Sequence, residues 1–362
     1  MQPDPLDWLR QNGLWKVSRG KKHTAGVREF ALAMERSPPR AEHKQPRYWA
    51  DMRPDDRVTA RSWLQPKLYT AANPHIEKWK HHSGTPWRVI DIFSYGGKQY
   101  DRTLELRMHE LSDVVDVFVV LEMGSPLSAN RGVAPLPFNK FAPAFAAFAN
   151  RTTHAYLKDR VALRSSGASL AKVNERLMRT IGTKMAYLQV PPSLQPMQDL
   201  VLLSDIDEIP RAAALRQLLN NALVRSNLTA GHVYALSGPS FYYDIECRVG
   251  DGHSEARWDF GPRLTTAKTL LDTSWDEVRE HGPFHKELPA YAQVHSIPNA
   301  SWHFGYLMTP QEVRMKLCTN TDHVVRRACH SANAFKKLIK AMADCTDPFG
   351  RRIPFVRVPL GH

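Results

Sequence analysis

The chain has 362 residues, a formal net charge of +13, 43% hydrophobic residues and four cysteines. This length provides a core for one large domain or two smaller ones, and the ordinary hydrophobic fraction excludes a wholly disordered chain. No apolar run reaches about 18 residues and the first residues lack the apolar core of a secretory signal, so we expect membrane association only if an anchor is missing from this chain.

The positive charge favours partners that carry negative charge. A basic chain suits nucleic acid, an anionic membrane surface or a phosphate-bearing substrate. Much of the excess charge lies in residues 16–22, 36–47 and 351–357. The sequence shows no Lys/Arg-rich helix, zinc-finger pattern or RNA-recognition signature. We therefore expect a phosphate-bearing substrate and no nucleic-acid partner.

Composition divides the chain into three parts. Residues 1–85 are rich in Pro, Arg, Lys, His and Trp and show little periodicity, which predicts a basic, Pro-rich N-terminal extension. Regular patterning begins at Trp87, and we predict the main domain over residues 86–310. Residues 311–362 are predicted to form a helical segment and tail packed on that domain.

The first half of the main domain alternates predicted strands with helices. Arg88–Phe93 has the composition of a strand, and Asp101 is placed to cap a following helix. One face of that helix carries Leu104, Met108 and Leu111. The β-branched run Val114–Leu121 is typical of a parallel strand buried on both faces, and it ends at Glu122. A further amphipathic helix is marked by Leu170, Val173, Leu177 and Ile181.

The most informative stretch is Asp199–Pro210, which reads DLVLLSDIDEIP. Its apolar run, Leu200–Leu203, has the length of a buried strand. Residues two apart in an extended chain point the same way, so Asp205 and Asp207 are placed to reach one ligand together. A hard divalent ion would compensate the two carboxylates and leave positions for substrate phosphates. The alternative is that Asp207 or Glu208 caps the next helix.

The second half continues the same alternation. A helix is marked by Leu215, Leu218, Leu219 and Leu223. Strands are predicted over Val233–Leu236 and Phe241–Ile245, and the capping box Thr309–Glu312 predicts the start of another helix. Strands that alternate with helices predict an α/β fold, with a mostly parallel sheet flanked by helices and ligands bound at the carboxyl ends of the strands.

Several common nucleotide and ester sites are absent from the sequence. The first strand–helix turn lacks G-x-G-x-x-G, and neither a P-loop nor a G-x-S-x-G elbow occurs. The paired aspartates suit a nucleotide-sugar site, in which a divalent ion bridges a diphosphate and stabilises the leaving group as the sugar–phosphate bond breaks. A phosphoryl-transfer nucleophile would need further acidic and lysine motifs that the chain does not show.

Several motifs, in order over about residues 86 to 320, give the chain a family resemblance. They are Arg88–Phe93, Leu104–Arg107, Val114–Glu122, Leu202–Pro210, Phe241–Tyr243, Gly261–Arg263, Ser301–Phe304 and Lys316–Leu317. The sequence resembles glycosyltransferase family 17, and SDIDEIP is the most specific part of the match. The resemblance implies a GT-A-like nucleotide-diphospho-sugar transferase fold for residues 86–310. It also implies the activity of a bisecting N-acetylglucosaminyltransferase, which is metal-dependent and inverting.

The resemblance further implies the substrates. The donor would be UDP-N-acetylglucosamine, the metal Mn²⁺ or Mg²⁺, and the acceptor the β-mannose of an N-glycan core on a glycoprotein in the Golgi. The chain departs from the family at Gly124–Ser128, in the acidic residues thinned to Asp101 and in the missing N-terminal anchor. These departures leave open another donor sugar or acceptor, or a catalytically inactive relative that binds carbohydrate or a polyanion.

Roles for single residues follow from this interpretation. Asp205 and Asp207 would hold the metal, and Asp205 is also placed to contact the ribose. His303 is a candidate third ligand or diphosphate contact, with a buried, hydrogen-bonded histidine as the alternative. Glu122 would accept hydrogen bonds from ribose or uracil, or merely end its strand. Arg263 would contact the diphosphate, or be an ordinary surface arginine.

An inverting transfer also needs a general base within hydrogen-bond reach of the acceptor hydroxyl. The candidates are Asp259, Asp276 and Glu277, and the sequence does not choose among them. We expect Glu208 to serve the N-terminus of the following helix instead. Tyr242, Tyr243 and Trp258 are candidates for stacking on sugar rings, with core packing as the alternative.

Overall fold

The computed structural model describes residues 87–123, 138–139, 142–157, 175, 178–190, 195–250, 257–273, 275–280, 293–319, 332–347 and 354–358. The predicted N-terminal extension, residues 1–85, lies outside the described residues. The same is true of most of the helix predicted between residues 170 and 181. The described chain forms two sheets with helices packed against them.

The strands are β1 (Arg88–Tyr95), β2 (Val117–Met123), β3 (Thr152–Leu157), β4 (Asp199–Asp205), β5 (Glu208–Pro210), β6 (Val233–Leu236), β7 (Gly238–Tyr242), β8 (Cys247–Val249), β9 (Arg257–Trp258), β10 (Arg263–Thr266), β11 (Val294–Ile297), β12 (Ser301–Gly305) and β13 (Phe355–Arg357). The α-helices are α1 (Asp101–Glu110), α2 (Thr183–Leu188), α3 (Ala212–Asn220), α4 (Ala222–Thr229), α5 (Ala267–Asp272), α6 (Trp275–Glu280), α7 (Pro310–Thr319) and α8 (Ala332–Asp344). Two 3₁₀ segments, Lys98–Tyr100 and Pro143–Arg151, and a π-helical turn, Met178–Gly182, complete the described elements.

The larger sheet has seven strands in the order β11-β6-β10-β4-β1-β2-β3. Strands β1 to β4 are mutually parallel, and β10 runs antiparallel between β4 and β6. Apolar side chains of β1, β2 and β4 are buried on both faces, which is the burial expected for a parallel sheet covered by helices. The predicted α/β fold, with a mostly parallel sheet flanked by helices, is confirmed.

The register of β1 places two predicted site segments beside each other. Ser94 is paired with Asp205 of β4, and Tyr95 is paired with Glu122 of β2. Because these strands are parallel, their carboxyl ends meet at one edge of the sheet. Glu122 and Asp205 therefore flank the end of β1, as ligand binding at strand ends requires.

The smaller sheet has the order β13-β8-β7-β12-β5 and begins directly after the acidic turn. A disulfide between Cys247 and Cys345 joins β8 to the residue that follows α8. A separate apolar cluster, including Tyr243, Tyr306 and Leu317, packs α7 and α8 against this sheet. The C-terminal segment is thus built into the smaller sheet through β13 and the disulfide.

Three local predictions can be compared with the structure. The capping box is confirmed, because the Thr309 N–H donates to Glu312 Oε2 at 2.8 Å and the Glu312 N–H donates to Thr309 Oγ1 at 3.3 Å. The single helix predicted through Leu223 is wrong: the Asn221 side chain accepts the N–H groups of Leu223 and Val224 and starts α4 as a new helix. Asp101 begins α1 without capping it and accepts from Tyr95 Oη at 2.7 Å.

Candidate functional site

The turn between β4 and β5 carries Asp205 and Asp207, and its backbone is held on both sides. Arg107 donates from Nη1 to the carbonyl oxygen of Glu208 at 2.8 Å and to that of Asp205 at 3.3 Å. The N–H of Phe304 donates to the carbonyl oxygen of Asp207 at 2.8 Å. The direction in which the two carboxylates leave the sheet edge is therefore fixed by contacts to main-chain atoms.

Arg107 itself is held by a buried ion pair beneath the turn. Its guanidinium is fully buried and donates to both carboxylate oxygens of Asp91, at 2.6 and 2.7 Å, and to Ser204 Oγ at 2.5 Å. The group also lies 4.7 Å from the centre of the Phe93 ring. A planar guanidinium with this many fixed partners is rigid, so α1 positions the acidic turn on the end of the sheet.

Two arginines meet at the carboxylate of Asp205. Arg179, from the π-helical turn, donates to Asp205 Oδ2 at 2.9 Å, and Arg279, from α6, lies 3.0 Å from the same oxygen. Burial raises the pKa of Asp205, but the two guanidinium groups outweigh it and hold the pKa at about 2. Asp205 is therefore ionised at any physiological pH, with its side chain 26% exposed.

Asp207 has a different cation as its partner. Lys316 of α7 donates from Nζ to Asp207 Oδ2 at 2.6 Å, and both side chains are almost buried. Burial raises the pKa of Asp207, but Lys316 and then His303 outweigh it, so its pKa lies below the usual value. Burial lowers the pKa of Lys316, yet the neighbouring Asp207 more than offsets this and the pKa is raised. The pair is ionised on both sides.

Glu208 is not at the N-terminus of a helix, so that expectation is wrong. Its fully buried carboxylate accepts two short hydrogen bonds from Arg279, at 2.6 and 2.7 Å, and one from Trp258 Nε1 at 2.7 Å. It also accepts the N–H of Asp205 at 3.1 Å. The next helix begins later, at Ala212. Glu208 thus holds Arg279 beside the acidic turn.

His303 lies on β12 directly behind this turn. Its Nδ1 is 2.8 Å from Ser240 Oγ, and its ring is stacked on Trp258 with 4.1 Å between centroids. Burial lowers the pKa of His303, and the nearby Asp207 and Glu208 offset only part of this. The imidazole is therefore neutral at neutral pH, with one nitrogen fixed by Ser240, as is common for metal-binding histidines.

The acidic turn fits one kind of metal site. Within the part of the chain that the structure describes, no three His, Cys, Asp or Glu side chains surround a common point. Asp205 and Asp207 nevertheless supply two hard carboxylates at the same sheet edge. This donor set suits Mg²⁺ or Mn²⁺ held by one or two carboxylates and completed by substrate phosphates and water. The role of His303 as a third ligand stays a prediction.

Glu122 is already engaged by protein donors at its position beside β1. Its buried Oε2 accepts the N–H of Phe138 at 3.1 Å and lies 2.8 Å from His154 Nε2. His154 belongs to β3, so this carboxylate ties β2 to β3 and to the segment at Phe138. Contact between Glu122 and ribose or uracil stays a prediction.

Arg263 is fully buried, which argues against the predicted contact with a diphosphate. Its guanidinium donates to the carbonyl oxygens of Gly261 at 2.7 Å and Asp259 at 2.9 Å. Burial, and then Arg279, lower its pKa to about 10, with Glu208 and Asp259 offsetting part of the shift. In this structure Arg263 stabilises the loop before β10, and other basic residues contact the acidic turn.

The three general-base candidates remain open. Asp259 is half-buried between Trp258 and Phe260, which places it near the ring that stacks on His303. Asp276 and Glu277 lie on α6, the helix of Arg279, and their side chains fall outside the described residues. None of the three roles is tested by the geometry.

Sequence reasoning missed three basic residues at the site: Arg179, Arg279 and Lys316. Arg179 and Arg279 carry no local pattern that separates them from surface arginines. Lys316 belongs to a motif of the family resemblance, which gave it no role. Lys316 precedes the buried Leu317 on α7, and only the folded chain brings its nearly buried side chain to Asp207.

The chain was compared with known proteins. The sequence model of glycosyltransferase family 17 matches residues 48–234, more than half of the chain. No curated protein matches the chain. Among solved structures, the chain is similar to a galactosyltransferase, LgtC, solved in complex with donor and acceptor sugar analogues. That match has 12% identity and a TM-score of 0.27, and it covers 70% of this chain and 95% of the other.

Proposed function

The chain belongs to glycosyltransferase family 17, and from that premise we propose a metal-dependent inverting transfer of N-acetylglucosamine from UDP-N-acetylglucosamine to a mannose of an N-glycan core. Glycosyl transfer itself follows from the family. The donor, the acceptor and the metal are the proposed part, and they rest on the residues at the acidic turn.

One observation carries this proposal: two ionised aspartates lie at the carboxyl edge of the parallel sheet, and three basic side chains face them. Arg179 and Arg279 contact Asp205, and Lys316 contacts Asp207. A site with carboxylates and fixed cations side by side suits a divalent ion together with an anionic diphosphate.

The chemistry of the transfer follows from this charge arrangement. Asp205 and Asp207 would hold the metal, which when bound supplies Lewis-acid stabilisation of the departing diphosphate. Arg279 is fixed by Glu208 beside the turn, so its charge is in place before the donor arrives. Preorganised charge of this kind stabilises the developing negative charge without reorganisation during the reaction.

The acceptor side is proposed at the aromatic residues next to His303. Trp258 stacks on His303, and Phe260, 53% exposed, packs edge-on against Trp258. An exposed aromatic ring suits the apolar face of a sugar. Asp259 lies between the two rings, which makes it one candidate for the base that takes the proton of the acceptor hydroxyl, alongside Asp276 and Glu277.

The compartment proposed is the Golgi lumen. The disulfide between Cys247 and Cys345 supports it, because structural disulfides persist in oxidising compartments. Among the described helices, none has the length and apolar character needed to cross a bilayer.

A panel of UDP- and GDP-sugars tests the proposal directly. Each donor is incubated with Mn²⁺ and an N-glycan acceptor that exposes the core β-mannose, and both nucleotide release and glycan mass are followed. We expect UDP-N-acetylglucosamine to give UDP and an acceptor heavier by one N-acetylhexosamine. Turnover with another sugar would assign a different transferase. Donor or glycan binding without turnover by any donor would identify an inactive binding protein and contradict the proposal.

A further inference from the structure

We propose that Lys316 is a tethered counter-ion of the donor site, which neutralises Asp207 before the donor binds and moves to the donor's diphosphate when a divalent cation takes its place. This inference rests on the proposed function and deepens it. It assigns a ligand, the diphosphate, to a residue that sequence reasoning left without a role.

The contact that suggests this exchange is short and sheltered. Lys316 Nζ lies 2.6 Å from Asp207 Oδ2, and the two side chains are 12% and 11% exposed. The ammonium also lies over two rings, 5.0 Å from the centre of Tyr100 and 4.7 Å from that of Tyr306. The ammonium thus occupies one carboxylate oxygen of Asp207.

The chemistry of lysine favours exchange over a fixed structural role. The neighbouring Arg107 is fully buried and fixed by Asp91 and by backbone carbonyl oxygens. Lys316 instead carries a compact charge on a flexible four-carbon stem, which can turn about several bonds without moving α7. A doubly charged ion at Asp207 would repel this ammonium and compete with it for the same oxygen.

The backbone around the ammonium shows strain of the kind found at functional sites. Tyr306 has φ of 66°, which bulky residues rarely adopt, and it lies between β12 and α7. The ring of this residue lies against the Lys316 ammonium. The capping box at Thr309 and the apolar cluster around Val313 and Leu317 anchor the helix that carries the lysine.

The destination of the ammonium follows from the proposed donor geometry. A metal held by Asp205 and Asp207 would bind phosphate oxygens, so the diphosphate would lie within a few bond lengths of the displaced Lys316. The two arginines contact Asp205, whereas Lys316 contacts Asp207. Lys316 therefore supplies a mobile positive charge where the metal and the phosphates would meet.

The experiment compares Lys316→Met with the wild-type chain in two titrations. Mn²⁺ alone is titrated and followed by the loss of its electron paramagnetic resonance signal. UDP is then titrated by calorimetry at saturating Mn²⁺. Removing the counter-ion should tighten Mn²⁺ binding roughly tenfold, because Asp207 no longer has a competing cation. The same change should weaken UDP binding by roughly tenfold or more, because a charge-assisted phosphate contact is lost.

Tighter Mn²⁺ binding together with weaker UDP binding distinguishes a counter-ion of the donor site from a purely structural lysine. A variant that binds Mn²⁺ no more tightly than the wild type, or binds UDP equally well, would overturn it. If the wild-type chain itself does not bind UDP with Mn²⁺, the proposed function fails first. If the wild type binds and Lys316→Met is indistinguishable from it, only the role of Lys316 fails.

Controls address folding and general loss of charge. Lys184→Met removes a partly buried lysine whose Nζ donates to the carbonyl oxygen of Leu271 at 2.9 Å, and it should change neither titration. Lys316→Gln keeps a hydrogen-bond donor and removes the charge, so it should reproduce both shifts if Lys316→Met is poorly folded. Both Lys316 variants should unfold in a single thermal transition.

Discussion

The two ends of β4 hold chemically similar ion pairs that differ in how far the aspartate side chain is exposed to solvent. At the amino end, Asp199 is 1% exposed and accepts from Arg88 at 2.7 and 2.8 Å, from Tyr187 Oη at 2.7 Å and from the N–H of Gln195 at 3.0 Å. At the carboxyl end, Asp205 is 26% exposed and shares one oxygen between two arginines. The first carboxylate is saturated by four fixed contacts, while the second lies at an open edge.

The difference separates an aspartate that stabilises the sheet from aspartates that we propose bind a ligand. Asp199 joins β4 to β1 through Arg88, so it acts on the sheet itself. Asp205 is the last residue of β4 and Asp207 follows it in the turn, and the charged partners of both come from other elements. A buried ion pair costs desolvation, and its removal leaves the partner charge unpaired. Substitutions at the two ends of β4 should therefore have different effects.

The largest effect is expected for Asp207→Asn at the carboxyl end. Loss of the charge that would hold the metal should lower turnover roughly 10²–10³-fold, the range seen when one preorganised electrostatic contact at a reacting centre is removed. The thermal midpoint should also fall, because the nearly buried Lys316 loses its partner charge, so turnover is compared per folded molecule. Asp272→Asn, at the exposed pair with Lys268, is the matched control and should leave turnover unchanged. Undiminished turnover in Asp207→Asn would contradict the assigned role.

Asp199→Asn should act in the opposite way at the amino end. The uncompensated, nearly buried Arg88 should lower the free energy of unfolding by about 3 kcal/mol, as for other broken buried pairs. Urea unfolding measures the change, and the activity per folded molecule should be that of the wild type. Loss of activity with stability unaffected would show that the amino end also belongs to the site.

Acid should destabilise the carboxyl end over a defined pH window. The pKa of Asp205 is held at about 2 in the folded chain, against an ordinary value of 3.8. Because the folded pKa is depressed, its stabilisation is fully present above about pH 4 and is lost as the pH falls towards 2. The contribution is about 2 kcal/mol, and Asp205→Asn should remove that part of the pH dependence. An identical acid profile in the variant would show that Asp205 is not the responsible group.

A smaller effect is expected from the cap that anchors α7. Thr309→Ala removes the hydroxyl that accepts the Glu312 N–H, and it should cost about 1 kcal/mol of unfolding free energy. Because α7 carries Lys316, UDP affinity should fall slightly. The ion pair of Asp199 at the other end of β4 should be unaffected. Thermal unfolding and a UDP titration check both parts. A loss of several kcal/mol would mean that α7 does more than carry the lysine.

Local patterns in the sequence predicted the features that depend on neighbouring residues. The apolar run Leu200–Leu203 predicted the buried strand β4, and the acids that follow it predicted the candidate site at its end. Thr309 and Glu312 predicted the start of α7 because both halves of a capping box lie within one helical turn. The sequence analysis did not predict that one helix ends and another begins at Asn221, although asparagine is a favoured N-cap residue.

The features that the sequence did not predict depend on chain segments far apart. Lys316 and Asp207 are separated by 109 residues and Arg179 and Asp205 by 26, so only tertiary packing brings them together. The disulfide between Cys247 and Cys345 spans 98 residues, and no local pattern in the sequence pairs these two cysteines. Glu208 was assigned to a helix end because its buried partners were not visible in the local sequence.

Calorimetric titration of UDP with and without Mn²⁺ tests the central claim most directly. If Asp205 and Asp207 form a nucleotide-diphosphate site completed by a divalent ion, UDP should bind at least roughly tenfold more tightly with Mn²⁺, and Asp207→Asn should remove that difference. Equal UDP affinity in the presence and absence of Mn²⁺, unchanged by Asp207→Asn, would contradict the account.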